Sequence, residues 1–426
     1  MKHWPQLLII TLALVLMPTP GLAQKDDDQR KPRTTRKTEK LSPAVYEKIT
    51  AAQEALDAKD LAKAASILDE LLAKADGLNN YEQAQVYNFY AAVHYEQEQI
   101  DRTIEDYKSI LRLGEGVPEQ LRNNSLFRLA QLYFVREDYG LSVRVLDQWM
   151  QQVESVRPEA HMLQAQAYYQ LGDYDDAAPA AIAALQEAKR REQAPREQWL
   201  ALLRAIYYEQ GDYAKASRVL GELIAGWPSP NYYKQLAGML GLMQLQEAQL
   251  AVMHAAYRAG MLESESDVLN MARLYMAEDA PYPAIDVIRD AMRSGMVEAN
   301  AENLQLLAQA MALAKEYEQQ IPVLERAAEL SGDARQYVYL GQAQIALYDW
   351  AAAVDAFEQA LSIGGLERPG SAYMQIGTAH YNLKRYGPAR QAFKEAAAYS
   401  DYRDQATRWV AFVNQEVERE RAMRGG

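Results

Sequence analysis

Residues 337–360 read YVYLGQAQIALYDWAAAVDAFEQA, and this stretch decides the architecture. Its apolar residues recur at three- and four-residue spacing before Tyr348 and again after Trp350, the pattern of two amphipathic helices. A short turn, Tyr348-Asp349-Trp350, separates them. Gly341 lies midway along the first helix and Ala353 near the start of the second. Residues this small let paired helices approach closely. Neither helix can bury its stripe alone, so the pair must be one unit of a stack.

Outward from this stretch the same turn returns. Glu137-Asp138-Tyr139, Gly172-Asp173-Tyr174, Gly211-Asp212-Tyr213, Lys315-Glu316-Tyr317 and Lys384-Arg385-Tyr386 are close versions, and weaker ones end at Leu61, Ile100, Gln246 and Tyr282. The final residues of the ten turns are separated by 39, 39, 35, 39, 33, 36, 35, 33 and 36 positions. Small residues recur with them: Ala91, Ala130, Ala165 and Gly377 in first helices, and Ala177, Ala216 and Ala389 in second ones. Two units are irregular. Near 230–260, Gln249 stands where a small residue is expected. Near 266–293 the second helix opens with Pro281-Tyr282-Pro283, which a first turn tolerates. Arg204 also stands at a small-residue position, and reads either as a local register shift or as a side chain whose stem packs while its head reaches water.

Several copies resemble the tetratricopeptide repeat (TPR), whose period is about 34 residues. Tyr337 to Gly341, Trp350, Ala353, Phe357 and Ala360 are similar to its consensus, as are Tyr373, Ile376, Gly377, Tyr386, Ala389, Phe393 and Ala396. Tyr168, Gly172, Tyr174, Ala177, Ala184 and Leu185 match again, followed by Leu200, Leu203, Tyr207, Tyr213, Ala216, Leu220 and Pro228. The resemblance implies an all-α superhelical solenoid of about ten helix-turn-helix repeats over residues 44–400. Residues 401–426 form the expected capping helix and tail. Ala406, Trp409, Val410 and Val413 share one side of that helix, opposite an Arg- and Glu-rich face.

The chain begins with what reads as an export signal over residues 1–23. Lys2 and His3 precede an apolar stretch from Leu7 to Met17, broken only by Thr11, and Gly21-Leu22-Ala23 supplies a cleavage site after Ala23. The apolar run falls short of the roughly 20 residues that span a bilayer. Residues 24–43 are charged and almost free of apolar groups, so they read as a flexible tether with at most weak peripheral membrane contact. The chain has no cysteine, which excludes disulfides, thiol chemistry and a lipoprotein anchor. A periplasmic, soluble product is the expectation. The net charge of −13 argues against nucleic acid as a partner.

The residues offer no catalytic constellation. His94, His161 and His380 fall on first helices and His254 on a second, none of them in an H-E-x-x-H pairing. A phosphate-binding Walker loop, a dinucleotide G-x-G-x-x-G and a G-x-S-x-G elbow are all missing. Asp26-Asp27-Asp28 lacks the glycine and distal glutamate of a calcium loop and reads as solvated charge. No enzyme, metal or cofactor is therefore expected.

In TPR proteins the first helices line the concave groove, and the resemblance maps three rows onto this chain. One carries Tyr95, Phe134, Tyr169, Tyr208 and Tyr381; the next carries Ala92, Gln131, Gln166, Ala205 and Thr378; a third begins Asn88, Phe127, Met162. Asn88, Tyr95, Gln131, Phe134, Gln166, Tyr169, Tyr208 and Tyr381 are the candidate groove for a protein or peptide. Aromatic faces bury area at low entropy cost, and amides can satisfy a peptide backbone. More narrowly, the signal, the charged tether, the uninterrupted repeats and the stretches Tyr87 to Ala91 and Leu203 to Tyr208 look like periplasmic TPR proteins that accompany TonB, ExbB and ExbD. That resemblance implies a scaffold for TonB-type energy transduction to outer-membrane transport. The alternative is an assembly factor for envelope polysaccharide export or outer-membrane protein biogenesis.

Overall fold

The computed structural model describes residues 40–424. The expected signal, residues 24–39 of the expected tether and the Asp26-Asp27-Asp28 run lie outside the described residues. Within them every regular element is helical: 21 α-helices and two short 3-10 turns.

The helices fall into two compact units. The first, ending at Trp227, holds five hairpins: α1 (Pro43–Asp57) with α2 (Leu61–Leu72), α3 (Asn80–Glu96) with α4 (Ile100–Arg112), α5 (Glu119–Val135) with α6 (Tyr139–Met150), α7 (Pro158–Leu171) with α8 (Tyr174–Arg190), and α9 (Glu197–Glu209) with α10 (Tyr213–Gly226). The second, from Pro228, holds α11 (Pro230–Leu242) with α12 (Gln246–Arg258), α13 (Glu265–Ala277) with α14 (Pro281–Ser294), α15 (Ala301–Leu313) with α16 (Tyr317–Ser331), α17 (Ala334–Ala346) with α18 (Trp350–Ile363), and α19 (Pro369–Asn382) with α20 (Tyr386–Ala397). The single helix α21 (Arg403–Arg424) follows.

One device builds all ten hairpins. Two residues before each second helix the backbone enters the left-handed region, at Lys59, Glu98, Glu137, Gly172, Gly211, Gln244, Asp279, Lys315, Tyr348 and Lys384, with φ from 53° to 79°. The next residue's N–H then donates to the carbonyl five positions back, as Asp138 does to Tyr133 and Asp349 to Gln344, both at 2.9 Å. This is the Schellman closure of a helix C-terminus, and it satisfies carbonyls that the helix end leaves without partners. Asp60, Asp212 and Asp349 then cap the second helices, each accepting the N–H three residues on.

Within a hairpin the fit is between a small residue on the first helix and a larger one on the second. Gly341 faces Phe357: a Cβ added at Gly341 would lie 2.7 Å from the ring. Gly377 faces Phe393 in the same way, at 2.6 Å. Both phenylalanines are fully buried, as are Ala353 and Ala389 at the second-helix small positions. Two hairpins solve the same problem with amides. In the α15/α16 hairpin, which the sequence reading did not single out, Gln320 replaces the small residue and donates to the Ala308 carbonyl at 3.0 Å. Gln249 finds room along α11 because Gly241 has no side chain; a Cβ there would meet the Gln249 amide at 3.1 Å.

The α21 helix closes the second unit. Ala406 and Val413 are fully buried, and the Trp409 indole stacks on Phe393 with centroids 5.2 Å apart. Tyr386 donates its hydroxyl to Glu420 at 3.0 Å.

Candidate functional site

The first-helix row runs along α3, α5, α7 and α9 of the first unit, carrying Tyr95, Phe134, Tyr169 and Tyr208. Each ring sits in the last turn of its helix, next to the left-handed closure that reverses the chain. That placement sets its partner. Phe134 meets Tyr139, Tyr169 meets Tyr174, and Tyr208 meets Tyr213, with centroids 5.2, 5.5 and 5.8 Å apart. Tyr95 shares a core cluster with Ile100, the corresponding residue of its hairpin. The row is therefore a set of rings braced across their own turns. Such contacts fix ring orientation before any ligand arrives. Tyr208 presents the most surface, at 39 % exposure, while Tyr95, Phe134 and Tyr169 are half-buried.

The neighbouring row is deeper. Gln131 and Gln166 are buried, at 8 % and 9 % exposure, beside the buried Ala92 and Ala205. Gln131 accepts a hydrogen bond from Arg128 at 3.3 Å, so its amide oxygen is already engaged. In the third row Asn88 is half-buried, whereas Phe127 and Met162 are core residues. Phe127 packs on Trp149 at 5.0 Å with the Arg157 guanidinium 4.8 Å from its centroid. Tyr381 belongs to the second unit. It packs on Tyr386 as the other rings do, and also touches Trp409 and Phe412 of α21 at 5.8 and 5.5 Å.

Carboxylates accompany the braced rings. Burial raises the Tyr169 and Tyr174 phenols above their ordinary value, and the nearby Glu209 charge adds to the shift. Burial and then Glu137 do the same to Tyr139. Arg204, half-buried on α9, places its charge near Tyr169 and opposes that rise. The sequence reading missed these carboxylates. It also missed the bracing rings, although an aromatic residue five positions after each row member is visible at Phe134/Tyr139, Tyr169/Tyr174, Tyr208/Tyr213 and Tyr381/Tyr386.

Two open clefts of about 470 Å³ lie elsewhere. One is lined by Leu185, Lys189 and Glu222 among others, the second by Glu247, Leu250, His254 and Tyr275; neither includes a row residue. Among the described residues no group of three or more His, Asp or Glu side chains is placed to hold a metal ion. No described helix is long and apolar enough to cross a membrane.

Residues 126–195, which span most of α5 through α8, match the tetratricopeptide repeat family. That stretch carries tetratricopeptide repeats. Solved structures similar to this chain include a crystal structure of MamA protein, at 21 % identity over 41 % of this chain and 94 % of that one, with a TM-score of 0.36. The TPR2AB domain of yeast Sti1 in complex with pHSP90 is similar at 15 % identity, covering 62 % of this chain and 98 % of that one, with a TM-score of 0.35. A tetratricopeptide repeat protein from Parabacteroides merdae ATCC 43184 is similar at 17 % identity, covering 63 % and 100 %, with a TM-score of 0.38. No curated protein matches the chain. Stacked TPR hairpins form a scaffold suited to protein–protein interaction, since they present many side chains from rigid elements.

Proposed function

We propose that the chain is an exported periplasmic adaptor that captures a segment of a partner protein on the first-helix face of its first unit, in support of TonB-type energy transduction. The observation that carries the binding reading is the braced row Tyr95, Phe134, Tyr169 and Tyr208 on successive first helices. Rings held by their own hairpins lose little freedom on binding, so more of the contact energy appears as affinity. Export rests on the signal-like residues 1–23, and the partner class on the resemblance to TPR proteins that accompany TonB, ExbB and ExbD.

The test is a double variant, Tyr169→Ala with Tyr208→Ala, in site-specific crosslinking against the TonB-type partner in the envelope. Central aromatic anchors commonly contribute about 2 kcal/mol or more each. Capture should fall at least tenfold while helicity by circular dichroism is retained. Full capture by the folded variant would move the site off this face. Absence of any capture by the native chain would remove the TonB assignment. Mass of the secreted product, expected to begin at Gln24, checks the export reading.

A further inference from the structure

The groove reading leaves the chemistry of the occupant open, and the turn-side ends of α5, α7 and α9 narrow it. Three large apolar side chains are exposed there: Val135 at 46 %, Leu171 at 44 % and Tyr208 at 39 %. They occupy the last turns of three successive first helices, where a core-forming sequence has no use for them. The same turns are acidic. Glu137 follows Val135 by two residues, Asp173 follows Leu171 by two, and Glu209 follows Tyr208 directly. Among the described residues no side chain pairs with these three carboxylates, whereas the cations nearby are taken. Arg136 binds Asp101 at 2.7 Å and also Asp138, and Lys215 binds Asp212 at 2.7 Å. Glu137 and Glu209 also lie close enough to the braced tyrosines to perturb their phenols.

We propose that this edge of the first unit docks a cationic, extended segment of a partner protein, with apolar residues meeting Val135, Leu171 and Tyr208 and Lys or Arg side chains meeting Glu137, Asp173 and Glu209. The proposal deepens the groove reading and rests on it. Charge complementarity selects the occupant: unpaired carboxylates repel nucleic acid and anionic lipid and attract ammonium and guanidinium groups, which aromatic faces also favour. Geometry favours an extended chain. Neighbouring packed helices lie about 10 Å apart, so three hairpin ends span roughly 20 Å. An extended peptide covers that with about six residues.

The experiment is fluorescence anisotropy with the full chain and a labelled peptide, (Lys-Pro-Val)4, against (Glu-Pro-Val)4. The lysine peptide should bind, the glutamate peptide should not, and raising salt should weaken the complex. E137Q/D173N/E209Q should reduce affinity at least tenfold with an unchanged melting curve. The control set D286N/E325Q/D355N, on second helices of the other unit, should leave affinity unchanged. Equal loss in the control set would show diffuse attraction to an acidic protein and overturn the site. Undiminished binding by the first triple variant, or no binding of the lysine peptide, would overturn it too. A tenfold gain on deleting residues 24–39, which include Arg30, Lys31, Arg33, Arg36 and Lys37, would hand the surface to the chain's own N-terminal segment and overturn the partner assignment. If the lysine peptide fails while Tyr169→Ala/Tyr208→Ala still abolishes partner capture, the groove reading survives and only the cationic assignment falls.

Discussion

Asp106 on α4 shows two opposed forces acting on a single side chain. It is 9 % exposed, and its carboxylate lies 2.7 Å from His94 Nδ1. The His94 ring stacks on Tyr90 at 5.6 Å, and Tyr90 donates to Asp69, so one polar chain ties α2, α3 and α4. Burial pushes the Asp106 carboxyl up to about 6; His94 and Arg102 favour the charged form, and Glu105 opposes it. The folded state therefore binds more protons than the unfolded state between about pH 4 and pH 6, and this contribution to stability is lost as pH rises through that window. Asp106→Asn cannot ionise and should escape the loss. Thermal melts from pH 4.5 to 7.5 should show the variant gaining on the native chain as pH rises, by an amount on the order of 1 to 3 kcal/mol. Parallel profiles would show that burial is not the controlling force. The sequence reading placed His94 on a first helix, but not its partner. The two are joined only once the hairpin closes.

Where a first-helix glycine meets a second-helix ring the pair works as a matched set, and Gly377 with Phe393 is one such pair. An added methyl at Gly377 would meet the ring at 2.6 Å, closer than packed atoms come. Gly377→Ala should therefore cost about 1 to 3 kcal/mol in urea melts, the usual range for overpacking. Adding Phe393→Leu should recover part of that loss, because Ala130 opposite Leu146 is a buried pair the chain already uses. Simple additivity of the two changes would refute the matched-pair account. At this level much was legible. The ten turns read from the sequence recur in the structure, the one read as ending at Tyr282 a residue earlier at Pro281, and second helices open at Tyr139, Tyr174, Tyr213, Tyr317, Trp350 and Tyr386 as the spacing implies. Periodicity tells which face a residue shares, but not how deep that face lies. Gln131 and Gln166 share the face of the groove rings yet are buried, because depth depends on the neighbouring hairpin and on Arg128.

In a stack of hairpins each unit covers the exposed side of the one before, so the last hairpin needs a cover that is not itself a pair. The α21 helix provides it. Phe393, Ala389 and Ala396 of α20 are fully buried in a cluster that includes Ala406 and Val413 of α21. Its Trp409 and Phe412 also hold Tyr381 of α19. Stability in such arrays is close to a sum of intrinsic hairpin terms and nearest-neighbour terms. Ending the chain at Ala398 removes one neighbour term and opens an apolar face on α20. Hydrogen exchange should then rise first in α19 and α20 and fade toward α15, while the amides of α3 to α10 keep their protection. The truncated chain should also bind an apolar dye that the complete chain ignores. Loss of protection spread evenly over all ten hairpins would mean that the array unfolds as one cooperative body. Unchanged exchange in α19 and α20 would mean that α21 is no cap.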